Sequence, residues 1–290
     1  MERDAFARCH PAVPFVYFAV VIVLAAVVQH PAYLVASLAA GAAYLLVVRG
    51  RRGLAVLAGL VPVFVLVAVV NPLFNTRGAH VLFEVFGRPY TLEALCFGMA
   101  VSGMLVTMLV WFACYSQVMT ADKLTCLFGN LVPALSLVTV MTLRMVPSLT
   151  RKAQQISVAR RCVGRGGAEG AAGVRERLGE GANVLSGLVD HALEGSVETA
   201  GSMSARGYGV GRRTTYRPYR LTRRDIVLLT VQVTLVVMIL FAGIPQARFT
   251  PILAIAPVSW GFAAYCLFLL MPFVLWIEGE LRWRISISNI

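Results

Sequence analysis

The stretch Leu54–Thr76, LAVLAGLVPVFVLVAVVNPLFNT, runs for 23 residues without a charged side chain. A helix needs about 20 apolar residues to cross the hydrocarbon core of a bilayer, and in lipid it satisfies its own backbone polar groups. Comparable uncharged runs are Pro11–Val48, Ala94–Ala121, Ile226–Ala247 and Phe249–Ile277, the first long enough for two spans. The bulk composition agrees. Hydrophobic residues make up 58% of the 290, mean hydropathy is +0.76, and charged residues are only 14%, against about 25% in soluble domains. The expected fold class is therefore all-α, a polytopic helical membrane protein.

His30-Pro31 divides the first run, because proline cannot donate a backbone hydrogen bond and restricts the residue before it. Spans are expected near 13–29, 32–48, 54–71, 94–118, 226–244 and 252–277. Turn signals fill Asn71 to Glu93. The uncharged stretch 124–143 is a further span by hydropathy alone, but Gly129-Asn130 and Pro133 interrupt its start. A span there would also place Arg3, Arg8, Arg49, Arg51 and Arg52 outside. Cytoplasmic loops of membrane proteins collect Lys and Arg. With six spans and both termini cytoplasmic, 23 of the 26 basic residues lie inside and only Arg77, Arg88 and Arg248 lie outside. Residues 124–147 are then helix at the membrane surface or buried among other helices.

This arrangement predicts three regions: an N-terminal membrane part (1–118, four spans), a cytoplasmic insert (119–224) and a C-terminal membrane part (225–290, two spans). Met1–His10 carries Glu2 and Asp4 and reads as no cleavable signal. The location expected is the cell membrane. Six scattered cysteines and four dispersed histidines form no disulfide or metal pattern. The insert carries 16 basic and 7 acidic residues, yet no nucleic-acid-binding module is recognisable in it.

Within the insert, a first helix is expected at about 131–163, punctuated by Pro133 and Pro147, with Leu137, Val140, Met141 and Leu143 on its buried face. A glycine-rich stretch, Gly164–Gly173, follows as a hinge or loop. A second helical segment starts at Val174–Leu178, and a third runs about 183–206. On the third, Asp190, Glu194 and Glu198 make an acidic stripe at four-residue spacing. Small residues including Gly195 and Ala200 let another helix cross closely. Gly207 and Gly209 end it, which puts Arg206 in the last turn, where the helix dipole favours a cation. The insert thus holds two Ala-Arg units at helix ends, Ala159-Arg160-Arg161 and Ala205-Arg206-Gly207, 46 residues apart.

With Ser202-Met203-Ser204-Ala205-Arg206-Gly207-Tyr208-Gly209, Ala159-Arg160-Arg161 and Arg144-Met145-Val146-Pro147, the chain resembles the transmembrane T component of energy-coupling factor transporters. Asn71-Pro72-Leu73-Phe74-Asn75 and the stretch from Arg212-Arg213-Thr214 to Arg224-Asp225 extend the likeness. Of the family's two Ala-Arg-Gly units, Ala205-Arg206-Gly207 matches the second fully, whereas in the first, Ala159-Arg160-Arg161, Arg161 replaces the glycine. The resemblance implies a non-catalytic scaffold of an ATP-driven importer of vitamins or trace metals. Its partners would be two cytoplasmic ATP-binding-cassette ATPases, which bind the ATP, and a membrane-embedded substrate-binding S component. No cofactor is bound by the chain itself. Ala159, Arg160, Arg161, Ala205, Arg206 and Gly207 would dock the ATPases. Arg144 and Pro147 would mark where the first coupling helix begins, and Gly195 and Ala200 would shape the helix crossing. The chain has no P-loop of its own, and its spans carry no charge at membrane depth. A secondary transporter or a membrane-bound lipid-modifying enzyme, using Arg144, Arg160 and Arg206 on phosphate with His191 or Asp190 as base, is the alternative.

Overall fold

A computed structural model describes residues 6, 9–74, 81–85, 88–128, 133–163, 174–211, 221–243, 257 and 259–288. The glycine-rich stretch 164–173, the Gly129-Asn130 break, the basic stretch 212–220, and Asn75, Arg77 and Arg248 lie outside these residues. The chain divides into two compact units, one formed by 1–124 with 219–290 and the other by 125–218.

The first unit begins with α1 (Ala12–Val27), α2 (Pro31–Arg49) and α3 (Arg51–Phe74). His30 caps α2, its Nδ1 accepting from the Ala32 amide at 3.3 Å, and Pro31 takes the first helical position, where no amide bond is lost. Gly50 stops α2 with φ at +58°, a backbone conformation that side chains disfavour. The third span is expected near 54–71. Instead α3 continues to Phe74 with Pro62 and Pro72 inside it, as spanning helices tolerate where neighbours re-satisfy the freed carbonyls.

Between the spans, β1 (Val81–Val85) pairs antiparallel with β2 (Arg88–Thr91). This hairpin lies where only turns were expected. Tyr90 Oη donates to the Val69 carbonyl of α3 at 3.4 Å. Thr91 then caps α4 (Leu92–Val118), accepting from the Ala94 amide at 3.3 Å. At the far end of α4, Lys123 Nζ donates to the Val118 carbonyl at 2.7 Å, placing a cation on the negative end of the helix dipole. Lys123 belongs to α5 (Ala121–Phe128).

Two further helices close this unit, α8 (Arg223–Phe241) and α9 (Gly261–Ser288), after α6 and α7 of the second unit. Thr222 and Asp225 form a reciprocal capping box at the start of α8. Asp225 Oδ1 also accepts from the His10 amide at 3.2 Å, and Gln232 Nε2 reaches the Val13 carbonyl at 3.3 Å. These bonds tie α8 to the α1 end of the chain. Arg224 and Glu278 pair at 2.5 Å between α8 and α9.

Aromatic side chains build the centre. Trp111 of α4 is fully buried and donates its ring N–H to Ser37 Oγ of α2 at 2.9 Å. Its ring stacks on Tyr44 (centroids 6.5 Å, 26°) and meets Tyr17 of α1 edge-on at 5.9 Å. Tyr17 in turn stacks on Phe268 of α9 at 5.0 Å and donates to the Leu269 carbonyl. Aromatic pairs of this kind contribute about 0.5–1.5 kcal/mol beyond area burial. Glycines permit the close crossings. A Cβ at Gly41 would come within 3.0 Å of Val110 and 3.2 Å of the Trp111 ring, and one at Gly98 within 2.8 Å of the Ala68 carbonyl oxygen. Small residues at such points let spanning helices pack on backbone.

Among the described residues, five helices, α2, α3, α4, α8 and α9 (Gly261–Leu281), are long and apolar enough to cross a membrane. The sixth apolar helix, α1, has 16 residues, about 24 Å of helix against a core of about 30 Å. The chain is a multi-pass helical membrane protein.

Candidate functional site

The second unit is built on two long helices, α6 (Pro133–Cys162) and α7 (Val174–Ala205), packed on each other. Two expectations are corrected. The segments expected at 174–178 and 183–206 are one helix, running through Gly179 and Gly181. Pro147 lies inside α6 and does not start it. Proline deletes only one helical hydrogen bond, and the helix closes around the gap.

Half-covered positions on α6 include Leu137, Met141, Met145, Leu149, Ala153, Ile156 and Arg160, at steps of three and four, with Lys152 and Ser157 beside them. Those on α7 include Glu180, Val184, Gly187, Leu188, His191 and Gly195, with Ala192 and Met203 also half covered. Each set is one helical stripe. Val140 and Leu143, expected on the buried face, are 49% and 37% exposed. The close approach is at Gly187, where a Cβ would sit 3.4 Å from Ile156 Cδ1. At Gly195 a Cβ would meet nothing within 4 Å, and Ala200 is exposed. The crossing expected from Gly195 and Ala200 is therefore set about two to three and a half turns nearer the start of α7.

The two Ala-Arg units take different conformations. At Ala205-Arg206-Gly207 the helix ends in a Schellman arrangement. The Tyr208 amide returns to the Met203 carbonyl at 3.0 Å, and the Gly207 amide returns to Ser204 at 3.0 Å. Gly207 has φ of +74° and Gly209 +94°, which explains the glycines chemically. Arg206 is the residue just past the last helical one. Its side chain is exposed, with no ion pair among the described residues.

At Ala159-Arg160-Arg161 no glycine is present, and α6 continues through Arg161 to Cys162. Arg160 sits in the last turn, and its guanidinium grips Glu180 of α7 by two bonds, Nε to Oε1 at 2.7 Å and Nη2 to Oε2 at 3.0 Å. The charge-assisted bonds from Arg160 hold the Glu180 carboxyl below its ordinary value, and the same pair raises Arg160. Glu180 is the neighbour of Arg160 that sequence reading missed. It lies 20 residues from Arg160 across the glycine-rich stretch, and no motif marks it.

Arg144 is exposed on α6 two turns before Arg151, and Asp190, Glu194 and Glu198 are exposed on α7. Among the described residues no group of three or more His, Cys, Asp and Glu side chains is placed to hold a metal ion. What the unit offers is one preformed cationic helix end, one tethered cationic helix end, and a surface between them.

The sequence profile of the cobalt transport protein family, CbiQ, matches residues 5–217. No curated protein matches the chain at a significant level. The matched range takes in α1 through α7 and both Ala-Arg units. The chain belongs to the CbiQ family, the transmembrane T components of energy-coupling factor transporters, and is a membrane transport component of that uptake type.

Proposed function

We propose that this T component joins two cytoplasmic ATP-binding-cassette ATPases to a membrane-embedded S component, and that α6 and α7 transmit the ATPases' motion. The ATP is bound by those partners, and the chain contributes no catalytic group. Its cargo is a vitamin or trace metal selected by the S component. The insert and both termini face the cytoplasm.

The observation that carries this reading is the end of α7. The Schellman turn fixes Ala205-Arg206-Gly207 before any partner is present, so docking loses little conformational freedom. The exposed Arg206 guanidinium presents five donors that a carboxylate or carbonyl groove on a partner can engage. Ala159-Arg160-Arg161 is the second foot. For Arg160 to engage a partner's acidic group, it exchanges Glu180 for that group, so the second contact is conditional where the first is ready-made.

Arg144, Pro147, Gly195 and Ala200 serve the helices in this scheme and not the docking. Arg144 and Pro147 lie where α6 passes from an uncharged first part to a basic second part, and α7 carries motion along its length.

The test is uptake and ATP hydrolysis by the complex in proteoliposomes carrying Arg160→Ala with Arg206→Ala. Loss of coupled hydrolysis, with the chain still inserted, is expected. Full uptake by the double variant would remove the coupling role.

A further inference from the structure

Away from both Ala-Arg units, α6 and α7 enclose an open cleft of about 460 Å³ lined by Arg144, Ser148, Arg151, Lys152, Gln155 and His191. Residues 144, 148, 151 and 155 follow one another at steps of four, three and four, so they form one stripe of α6. Lys152 stands beside it, and His191 faces it from α7. Arg144 and Arg151 are about 10 Å apart along the helix axis, far enough for their long side chains to converge on one group between them.

The cluster is uncompensated. Arg160, further along the same helix, has Glu180, whereas Arg144, Arg151 and Lys152 have no ion pair among the described residues. The exposed Asp190 and Glu194 of α7 flank His191 in sequence, yet neither lines the cleft. Three cations with a hydroxyl, an amide and an imidazole make a donor set for a tetrahedral oxyanion. Guanidinium groups bind phosphate by paired, charge-assisted hydrogen bonds.

What precedes the cluster narrows the source of that phosphate. Pro133 to Leu143 contains no charge, and Val138, Val140 and Leu143 are exposed on it. Eleven helical residues extend about 16 Å, roughly half of a 30 Å hydrocarbon core and hence the depth of one leaflet. An apolar helix segment of leaflet depth, followed at once by a cationic cleft, has the layout of a phospholipid: acyl chain first, headgroup next. We propose that this cleft binds the phosphate headgroup of an anionic phospholipid, with the acyl chains along the exposed apolar turns of α6.

The test uses the full chain purified in detergent and needs no ATPase or S component, so it is independent of the coupling role. Native mass spectrometry would follow titration with short-chain phosphatidylglycerol, phosphatidylcholine of the same chain length, and inorganic phosphate. Saturable binding of phosphatidylglycerol over phosphatidylcholine is expected. Replacing Arg144, Arg151 and Lys152 with Gln should weaken it on the order of a hundredfold, at roughly a factor of five per cation. Removing three cations elsewhere, with Arg161, Arg175 and Arg206→Gln, should leave it intact. Arg144→Lys with Arg151→Lys, which keeps the charge, should retain preference for the anionic lipid even if the neutral triple variant folds poorly. Equal lipid binding by a folded triple variant would overturn the proposal. So would tighter binding of inorganic phosphate than of lipid, which would make the ligand a soluble phosphate. Unchanged lipid binding with loss of co-purifying proteins would reassign the cleft to a protein contact and sink the lipid site.

Discussion

The two units of this chain settle their side chains in opposite ways. In the membrane unit, Trp111, Tyr17, Tyr44, Tyr265 and Phe268 are essentially inaccessible, and Trp111 and Tyr17 have hydrogen-bond partners within the unit. In the helical pair, none of the described side chains between 125 and 218 is buried. Leu185, Val189 and Leu193 are exposed along α7, and Val138 and Val146 along α6. A unit that completes its own core gains stability from it. One whose apolar and charged side chains stay accessible is shaped for what binds it.

That contrast can be broken by substitution. The largest effect on the fold is expected in the membrane unit. Trp111→Ala removes the central ring and its hydrogen bond to Ser37, and large-to-small core changes of this kind cost about 3–5 kcal/mol. Unfolding of the detergent-solubilised protein in increasing SDS would record it. A loss below about 1 kcal/mol would mean that the aromatic centre does not hold the spans together.

Gly98→Leu comes next. With the Ala68 carbonyl 2.8 Å from its Cβ position, α3 and α4 must separate or the side chain cannot be housed. Overpacking costs about 1–3 kcal/mol, and reduced yield of folded protein with a lowered Tm is the expected readout. A wild-type Tm would contradict the close crossing.

In the helical pair the paired substitutions Gly187→Leu and Gly195→Leu sharpen the comparison. Gly187 faces Ile156, so Leu there should force α6 and α7 apart and uncouple hydrolysis from uptake while Arg206 remains intact. Gly195 opens on space, and Leu there should be close to neutral for the packing of the pair. Equal uncoupling by both would mean that the Gly187 contact does not govern transmission.

The smallest effect belongs to the Arg160–Glu180 pair. Both side chains are about a quarter exposed, at 27% and 26%, and such pairs contribute little to stability. Glu180→Gln should therefore shift Tm by less than about 2 °C, yet release Arg160 to faster modification by phenylglyoxal. Because the folded carboxyl is held below its ordinary value of 4.5, the pair is complete above that value and is lost as pH falls through the lowered one. Acid slows guanidine modification in both proteins alike, so the readout is the ratio of wild-type to Glu180→Gln reactivity at Arg160, which should rise towards one on acidification below about pH 4.5. Identical profiles would show that the pair does not form in solution.

Much of this was legible from residue order. Uncharged runs located the spans, His30-Pro31 marked the α1–α2 break, and Gly207 announced the end of α7. The hairpin Val81–Thr91 escaped notice because its strands are only four and five residues long and sit among Asn-Pro and Gly-Arg-Pro turn signals. Gly179 and Gly181 lie between the two segments expected at 174–178 and 183–206. Each costs about 1 kcal/mol against alanine in a helix, but one continuous α7 keeps its half-covered stripe against α6, and that packing overrides the local preference. The position of Arg160 was legible, but its tether was not, since nothing in the sequence points from Arg160 to a carboxylate across Gly164–Gly173.

The central claim is that the preformed end of α7 and the tethered end of α6 seat two ATPases. It is tested most directly by purifying the tagged chain from its native membrane and quantifying co-purifying P-loop ATPases by mass spectrometry. Wild type should bring down the ATPases in stoichiometric amount, Arg206→Glu should lose most of them, and Arg206→Glu with Arg160→Glu should lose them all while still carrying its lipid-embedded fold. Full ATPase recovery with the double variant would contradict the account.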